Sequence, residues 1–308
     1  MLSNSDINLA VTGATGFIGR SLLAKCATHN ITVSALTRTP QPAMAGVRWV
    51  VGDLFDADAL AELVDGATSL IHLAGATKAR RRSDFHKINT QATESLAEIC
   101  EAKGVSQFIF LSSLAASRPD ASPYAKSKAD AEAALSGVTG AMQISMIRAP
   151  AVLGPGDSAT HPLFSGLSRG MLVIPNIARD MRFSIIDVED LNALILSLTT
   201  QTTSAKTLIE PYGHESLEWS QIADAASRVM DQPVRRIYLP SLITQLVAKA
   251  VDAFAIVSGK TQTFSSDKLG ELKAGDWIAT DPIATPISLD ETIRRCITPF
   301  SESKLVVA

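Results

Sequence analysis

The sequence predicts an α/β fold, a doubly wound parallel sheet followed by a smaller mixed region. Apolar runs of strand length alternate with helical stretches through about the first 155 of 308 residues. A glycine-rich turn joins the first run to the first helix. After residue 155 the segments become shorter and more mixed. We therefore expect a Rossmann-type domain over 1–155 and a C-terminal cap over 156–308, interleaved with the first domain.

The apolar periodicity also predicts the individual elements. Helices are expected up to about His29, over 84–103 where Gly104 ends the helix, and in the Ala-rich stretch before Leu135. Beyond the boundary, 183–190 has the pattern of a strand and turn leading into a helix. The predicted strands of the sheet are 7–11, 31–36, 47–51, 68–73, 107–111 and 142–147.

The turn after the first strand has the spacing Gly-x-x-Gly-x-x-Gly. Glycines permit a tight turn and let backbone N–H groups approach a pyrophosphate, and the following helix N-terminus adds partial positive charge. Between a strand and a helix, this pattern predicts a dinucleotide site rather than a plain turn. The residues expected to line it are Gly13, Thr15, Gly16, Phe17, Ile18 and Gly19.

The ends of the next strands predict which cofactor binds. Thr37 carries no charge where an acidic residue would favour NAD, and Arg38 can pair with a 2′-phosphate. We therefore expect NADP(H), with NAD(H) as the alternative. Asp53 is expected to accept a hydrogen bond from adenine, or else to serve as a turn or cap residue. Leu54, Leu73, Ala74 and Gly75 complete the predicted cofactor-binding set.

The fifth strand leads into a serine, a tyrosine and a lysine that predict a proton-transfer site. Tyr124 and Lys128 are four residues apart, so they share one face of a helix. An ammonium lowers the pKa of a nearby phenol, which suits Tyr124 to act as general acid or base. Ser113, at the strand end, would donate a hydrogen bond to the oxygen where charge develops. The alternative is a chance Tyr-x-x-x-Lys pattern on an exposed helix.

Several other residues have competing interpretations. His72 lies within a strand and is expected in the core rather than in catalysis. Asn89 would support the cofactor side of the site or cap a turn. The basic run 78–82 is a solvated surface, or it receives an anionic substrate group or a membrane surface. The apolar face over 239–257 packs in the core, covers a hydrophobic substrate as a lid, or lies at a membrane interface.

Composition excludes several classes of protein. The net charge of −3 gives no basic field for nucleic acid. Cys26, Cys100 and Cys296 form no metal spacing and no disulfide framework, so no metal is expected. The N-terminus lacks signal-peptide features, and no uncharged apolar run reaches the roughly 20 residues of a membrane span. We expect a cytoplasmic protein or one at the inner face of the membrane, either monomer or homodimer.

Six motifs occur together in one order along nearly the whole chain. They are Thr12 to Gly19, Gly52-Asp53-Leu54, His72 to Gly75, Leu111-Ser112-Ser113, Tyr124 to Lys128, and Arg148 to Asp157. Together they resemble the extended or atypical short-chain dehydrogenase/reductases, the NAD-dependent epimerase/dehydratase-like group. The resemblance implies that Tyr124 is the acid/base and that Lys128 holds the nicotinamide ribose and tunes Tyr124. By family position it is Ser113, rather than Ser112, that polarises the substrate oxygen.

Two departures from that family bear on the substrate. Tyr124 follows Ser113 by eleven positions, whereas sugar-nucleotide epimerases usually carry a longer segment there, and Leu153 stands where they often have tyrosine. The stretch 72–128 most resembles a bacterial branch of lipid reductases that includes ceramide and 3-ketosphinganine reductases. We therefore expect an NAD(P)H-dependent ketone/secondary-alcohol oxidoreductase acting on a 3-keto lipid such as an oxidised ceramide or ketosphinganine. The alternatives are a nucleotide-sugar 4-epimerase, reductase or dehydratase, and a non-catalytic dinucleotide-binding subunit.

Overall fold

The computed structural model of this chain describes residues 8–79, 81–201, 205–241, 244 and 266–305. Contacts divide the chain into two compact units. The first comprises Met1–Arg148 and Leu191–Glu210, and the second comprises Ala149–Asp190 and Pro211–Ala308. The first unit ends earlier than the predicted boundary at residue 155, and it regains a segment from the second half of the chain.

The first unit is built on a seven-stranded sheet in the order β10-β6-β5-β4-β1-β2-β3. The central pairings are parallel, with Val11 opposite both Ala35 and Ile71. The predicted doubly wound sheet is confirmed. Its elements are β1 (Asn8–Thr12), α1 (Phe17–Thr28), β2 (Thr32–Thr37), β3 (Val47–Val51), α2 (Ala57–Leu63), β4 (Ser69–His72), α3 (Arg82–Phe85), a π-helical segment (His86–Gln91), α4 (Ala92–Ala102), β5 (Gln107–Ser113), two 3₁₀ turns (Leu114–Ser117, Pro119–Ala121), α5 (Pro123–Gly137), β6 (Gln143–Ala149) and β10 (Lys206–Ile209).

The core of the first unit explains why these strands form. The apolar side chains of β4 and β5 are almost completely buried, including those of Leu70, Phe108 and Phe110. Strands covered on both faces consist of continuous apolar runs, which is the pattern expected in a parallel sheet. Because the strands are parallel, the carboxyl ends of β1, β4 and β5 lie at one edge of the sheet. The predicted site residues follow these ends, so the sheet gathers them at one edge.

The predicted helix over 84–103 is helical throughout but not continuous. It consists of α3, the π-helical segment His86–Gln91 and α4. Asn89 and Thr90 lie in the π segment with their side chains buried. Both bond to other parts of the unit, Thr90 through its hydroxyl to the carbonyl of Ser127 at 3.0 Å. A π segment in a helix often marks a functional position, and periodicity alone does not reveal one.

The second unit consists of short strands and helices, as the mixed pattern after residue 155 predicts. Its sheets have the orders β12-β9-β7, β13-β8 and β11-β14. Its core includes Phe164, Ile185, Ala226 and Ile293. Its elements are β7 (Ala151–Leu153), α6 (His161–Leu167), β8 (Met171–Pro175), a 3₁₀ turn (Asn176–Ala178), β9 (Phe183–Asp187), β11 (Pro211–Tyr212), β12 (His214–Leu217), α8 (Trp219–Met230), β13 (Arg235–Leu239), α9 (Ser266–Lys273), β14 (Asp281–Pro282) and α10 (Leu289–Leu305).

One helix carries the chain back to the first unit. It is α7 (Val188–Leu198), and the strand that follows it, β10, pairs in parallel with β6 at the edge of the sheet. Asn192 on α7 donates to the hydroxyl of Ser21 on α1 at 2.9 Å. The chain thus returns to the sheet of the first unit after β9.

No helix in the described part of the chain is both long enough and apolar enough to cross a bilayer. The apolar face predicted over 239–257 lies mostly outside the described residues.

Candidate active site

The helix α5 places Tyr124 and Lys128 on one face, as their spacing predicts. Ser122 begins the helix by accepting a hydrogen bond from the N–H of Ala125 at 3.0 Å, and Pro123 occupies the first turn. The Tyr124 side chain is half-buried and meets the ring of Phe85 edge-on at 6.1 Å. The cap and the ring contact fix where the helix starts and how the phenol is presented.

Lys128 is a buried ammonium beside the carboxyl ends of β4 and β5. Its Nζ donates to the carbonyl of Leu111 at 2.8 Å and lies 4.6 Å from the centre of the Phe110 ring. A Cβ on Gly75 would lie 3.3 Å from this Nζ, so glycine leaves room at that point. Burial lowers the pKa of Lys128 to about 8, and the charge of Glu132 opposes that shift.

The two adjacent serines differ in their surroundings. Ser112 is buried, and its hydroxyl donates to the carboxylate of Glu132. The half-buried Ser113 accepts from the N–H of Ala115 at 3.2 Å, and within the described part of the chain its own proton has no acceptor. A hydroxyl with an uncommitted proton suits an oxyanion donor, so this arrangement favours Ser113 over Ser112.

Asn89 connects the loop after β4 with α5. Its amide accepts from the N–H of Ala76 at 2.7 Å and donates to the carbonyl of Ala76 at 2.9 Å. The same amide nitrogen donates to the hydroxyl of Ser127 at 2.9 Å. Asn89 therefore holds the loop that carries Gly75 next to the helix that carries Lys128, which agrees with the supporting role considered for it.

The glycine turn has the geometry that a pyrophosphate needs. Gly13 has a φ of +74°, and a Cβ there would lie 2.6 Å from the backbone nitrogen of Ala74. A Cβ on Gly19 would lie 2.3 Å from the carbonyl oxygen of Gly13. Gly16 begins α1, and no side chain among the described residues caps it. The N–H groups at the start of α1 thus remain available to a dinucleotide, and the residues present fit NAD(P).

The adenosine end of the predicted cofactor site is only partly defined. Arg38 is exposed directly after β2, at the position predicted to contact a 2′-phosphate. Asp53 accepts from the N–H of Phe55 at 2.7 Å and is a turn residue, while the cap of α2 is Asp56, which accepts from Ala59 at 3.0 Å. Both Arg38 and Asp53 stay predicted cofactor contacts, as does Leu54.

His72 is a core residue, as expected. It is completely buried, with Nδ1 2.6 Å from the hydroxyl of Thr12 and Nε2 3.0 Å from that of Thr93. Burial, with a smaller contribution from the charge of Lys128, lowers the pKa of His72 to about 3. The ring is therefore neutral at physiological pH and links β1, β4 and α4.

The basic run 78–82 is described only in part, because Arg80 lies outside the described residues. Arg81 and Arg82 are exposed, and Arg81 donates its backbone N–H to Asp84 at 3.2 Å. Its suggested role as an anion receiver stays a prediction. Within the described residues, no cluster of His, Cys, Asp or Glu side chains is placed to hold a metal ion.

The residue that sequence reasoning missed is Glu132. It lies one turn beyond Lys128 and is buried against Arg148, whose Nη2 is 2.7 Å from its Oε2. A carboxylate on the buried face of an Ala-rich helix, four residues after the lysine, was a visible signal.

A separate cavity of about 780 Å³ opens at the other edge of the sheet, near the starts of β1, β2 and β3. Its charged side chains pair with one another, Arg48 with Glu62 and Lys103 with Asp65. None of the predicted site residues lines it. The predicted site residues instead follow the carboxyl ends of the strands, at the opposite edge of the sheet.

The Rossmann sheet, the glycine turn and the serine, tyrosine and lysine beside it define an NAD(P)-dependent enzyme of the short-chain dehydrogenase/reductase type. Residues 9–205 match the NAD dependent epimerase/dehydratase family, and the chain belongs to that family.

Two relatives and one solved structure show how the chain compares with known members. It is 33% identical over 273 residues to a ceramide reductase from Caulobacter vibrioides (strain NA1000 / CB15N), covering 87% of this chain and 85% of the relative. It is 22% identical over 286 residues to a UDP-glucose 4-epimerase from Vibrio cholerae, covering 84% and 87%. The structure of MoeE5 in complex with UDP-glucuronic acid and NAD superimposes with a TM-score of 0.70 at 18% identity, covering 96% of this chain and 99% of that one. At that identity the superposition shows the shared fold.

Proposed function

We propose that this enzyme is an NADP(H)-dependent reductase that interconverts a ketone and a secondary alcohol on a lipid-like substrate. The substrate class is a 3-keto lipid, such as an oxidised ceramide or ketosphinganine. The similarity at 33% identity to a ceramide reductase, over most of both chains, is the observation that carries this proposal. Similarity to a nucleotide-sugar epimerase over a comparable length is lower, at 22%.

The side chains of the first unit supply the proton chemistry of such a reduction. When bound, the reduced nicotinamide supplies the hydride that reaches the carbonyl carbon. Tyr124 gives its phenolic proton to the carbonyl oxygen, and Ser113 donates a hydrogen bond to that same oxygen as charge develops. The Lys128 ammonium stabilises the phenolate form of Tyr124 that results from this proton transfer. In alcohol oxidation the same side chains act in the opposite direction, and Tyr124 accepts the proton of the alcohol.

The preference for NADP(H) rests on the end of β2. Arg38 is exposed there and Thr37 is buried, so the side chain available to a 2′-phosphate is a guanidinium rather than a carboxylate. A charge-assisted bond to a phosphate is stronger than a neutral one. This supports NADP(H), with NAD(H) as the alternative cofactor.

The path from Ser113 to Tyr124 supports an apolar substrate over a nucleotide sugar. It contains only two short 3₁₀ turns, Leu114–Ser117 and Pro119–Ala121, before α5 begins. The longer segment usual in sugar-nucleotide epimerases is therefore missing from this fully described stretch. A nucleotide-sugar epimerase, reductase or dehydratase remains the competing function, and the test below separates the two.

We also propose that the enzyme works at an anionic phospholipid surface. On the parallel pair β8 and β13, Met171, Val173 and Ile237 expose 39%, 49% and 40% of their surface. The exposed Arg235 lies opposite Met171 and two residues before Ile237, so it shares the face of these apolar side chains. Apolar side chains next to an arginine match the lipid interface and its phosphates. Binding to vesicles of anionic rather than zwitterionic lipid, weakened by Ile237→Ser, would support this surface, and a dimer formed through it would contradict it.

The test of the substrate class is a series of ketones that differ only in acyl length. Each buried methylene contributes up to about 0.8 kcal/mol, so kcat/KM should rise by up to about fourfold per added methylene until the pocket is filled. Tyr124→Phe serves as the control for background reduction. Turnover of a UDP-sugar, or no dependence on acyl length, would contradict the lipid proposal. Leu246 and Phe254, two positions of the apolar face over 239–257 that could cover such a substrate, lie outside the described residues.

A further inference from the structure

A chain of buried charges lies behind the site formed by Ser113, Tyr124 and Lys128. Glu132 is one helical turn beyond Lys128 on α5, and their side chains are both almost fully buried. The carboxylate of Glu132 accepts a hydrogen bond from the hydroxyl of Ser112, which immediately precedes the predicted oxyanion donor on β5. One carboxylate therefore lies beside both α5, which carries Lys128, and β5, which carries Ser113.

Arg148 binds the same carboxylate from β6. Its Nε lies 3.1 Å from both oxygens of Glu132, and its Nη2 lies 2.7 Å from Oε2. The remaining Nη1 donates at 3.0 Å to Glu210, just after β10. The charges thus alternate through the unit in the order Lys128, Glu132, Arg148 and Glu210.

Removing Glu132 would leave two cations in this buried region with one anion at its far end. A buried ammonium without a nearby anion gives up its proton rather than stay charged in a low-dielectric environment. Burial already disfavours the charged form of Lys128, because the hydrogen bond from its Nζ goes to the neutral carbonyl of Leu111. A neutral Lys128 would no longer favour the phenolate of Tyr124.

We propose that Glu132 is a positioning residue of this active site, which keeps the Lys128 ammonium charged and ties α5 to β5 and β6 through Ser112 and Arg148. Its kinetic consequence rests on the proposed reductase function, but its effect on Lys128 does not.

The other ionisable groups around Lys128 do not replace this carboxylate. His72 on β4 is neutral, Tyr124 is the group that Lys128 serves, and Glu210 is engaged by Arg148. The remaining groups on α5 and the elements packed against it are partly or fully exposed to solvent, which screens their charges. They are Arg82, Asp84, His86, Lys87, Glu94, Glu98, Glu101, Asp120, Lys126 and Asp130. The Cys100 thiol on α4 is buried, which raises its pKa to about 12 and leaves it uncharged.

The test compares Glu132→Gln with Asp130→Asn. Both remove one negative charge from α5 without changing side-chain size, but Asp130 is partly exposed and pairs with Lys126. We expect Glu132→Gln to move the alkaline fall of kcat/KM to lower pH by about one unit or more, so that the loss of activity is smallest at low pH and grows as the pH rises. Asp130→Asn should leave the pH profile as in the wild type. A purely structural role for Glu132 predicts an equal loss at every pH, and that result would overturn the proposal.

A second measurement needs no substrate. Lysine labelled with ¹³C at Cε reports the titration of Lys128 by NMR, with the resonance assigned from its loss in Lys128→Arg. The midpoint should fall by the same amount in Glu132→Gln, and an unchanged midpoint would overturn the proposal even if no ketone is turned over. If Glu132→Gln does not fold, the titration of Lys128 in the wild-type protein provides the test. A midpoint well below pH 7 would show that Glu132 does not keep this ammonium charged.

Discussion

The adjacent serines provide a matched pair of substitutions, Ser113→Ala and Ser112→Ala. Ser113→Ala removes one 3.2 Å bond from the N–H of Ala115, which is worth about 1 kcal/mol or less. If Ser113 is the oxyanion donor, its loss should lower kcat by about 10²–10³-fold. Ser113→Ala should therefore be a folded protein with little activity.

Ser112→Ala should behave in the opposite way. It takes a hydrogen-bond donor from the buried carboxylate of Glu132, which should lower the free energy of unfolding by about 1–3 kcal/mol. Arg148 still contacts both oxygens of that carboxylate, so the charge stays paired. Activity should stay within a few-fold of the wild type.

The assay is kcat/KM from cofactor absorbance on the same ketone, together with denaturant unfolding of each variant. A large loss of kcat in Ser112→Ala, with Ser113→Ala nearly as active as the wild type, would refute the assignment of the donor. Equal losses of activity in both variants would also refute it, because the two hydroxyls have different partners.

Three further predictions follow from the site. Tyr124→Phe should lower kcat by about 10²–10⁴-fold while cofactor affinity, measured by titration calorimetry, stays within a few-fold, and near-normal turnover would remove Tyr124 from proton transfer. Arg38→Gln should cost about 1.5–3 kcal/mol of NADP(H) affinity and leave NAD(H) affinity unchanged, whereas tighter NAD(H) binding by the wild type would contradict the preference. Because the pKa of Lys128 is lowered to about 8, the ammonium is charged below that pH, and kcat/KM should fall as the pH rises through about 8. A wild-type profile that stays flat to pH 10 would show that a charged Lys128 is not required.

Features that depend on residues close together along the chain could be predicted from the sequence. The strands β1 to β6 and the helices α1 and α5 follow from apolar periodicity, and the glycine turn follows from three positions in one tight loop. Gly13 illustrates the reason, since its φ of +74° is a conformation that side chains other than glycine rarely adopt. The four-residue spacing of Tyr124 and Lys128 sets a common helix face in the same local way.

A change of helix type and a return of the chain to an earlier sheet are harder to read from periodicity. The helix over 84–103 contains a π segment because Asn89 and Thr90 bond to Ala76 and Ser127, which periodicity does not register. The first unit also ends at Arg148 and takes back Leu191–Glu210. Strand β10 is short and only half-buried, so its pattern carries little signal before its pairing with β6 is known.

The sequence by itself determined the class of fold, the glycine turn and the residue types of the predicted proton-transfer site, because each depends on geometry that is local along the chain. Only the tertiary structure showed that Ser112 donates its hydroxyl proton to Glu132, whereas Ser113 beside it accepts from the N–H of Ala115. It also revealed the line of charges from Lys128 to Glu210, whose members come from α5, β6 and the end of β10. Burial and pairing of charges depend on which distant segments pack together, and no spacing along the chain encodes that directly.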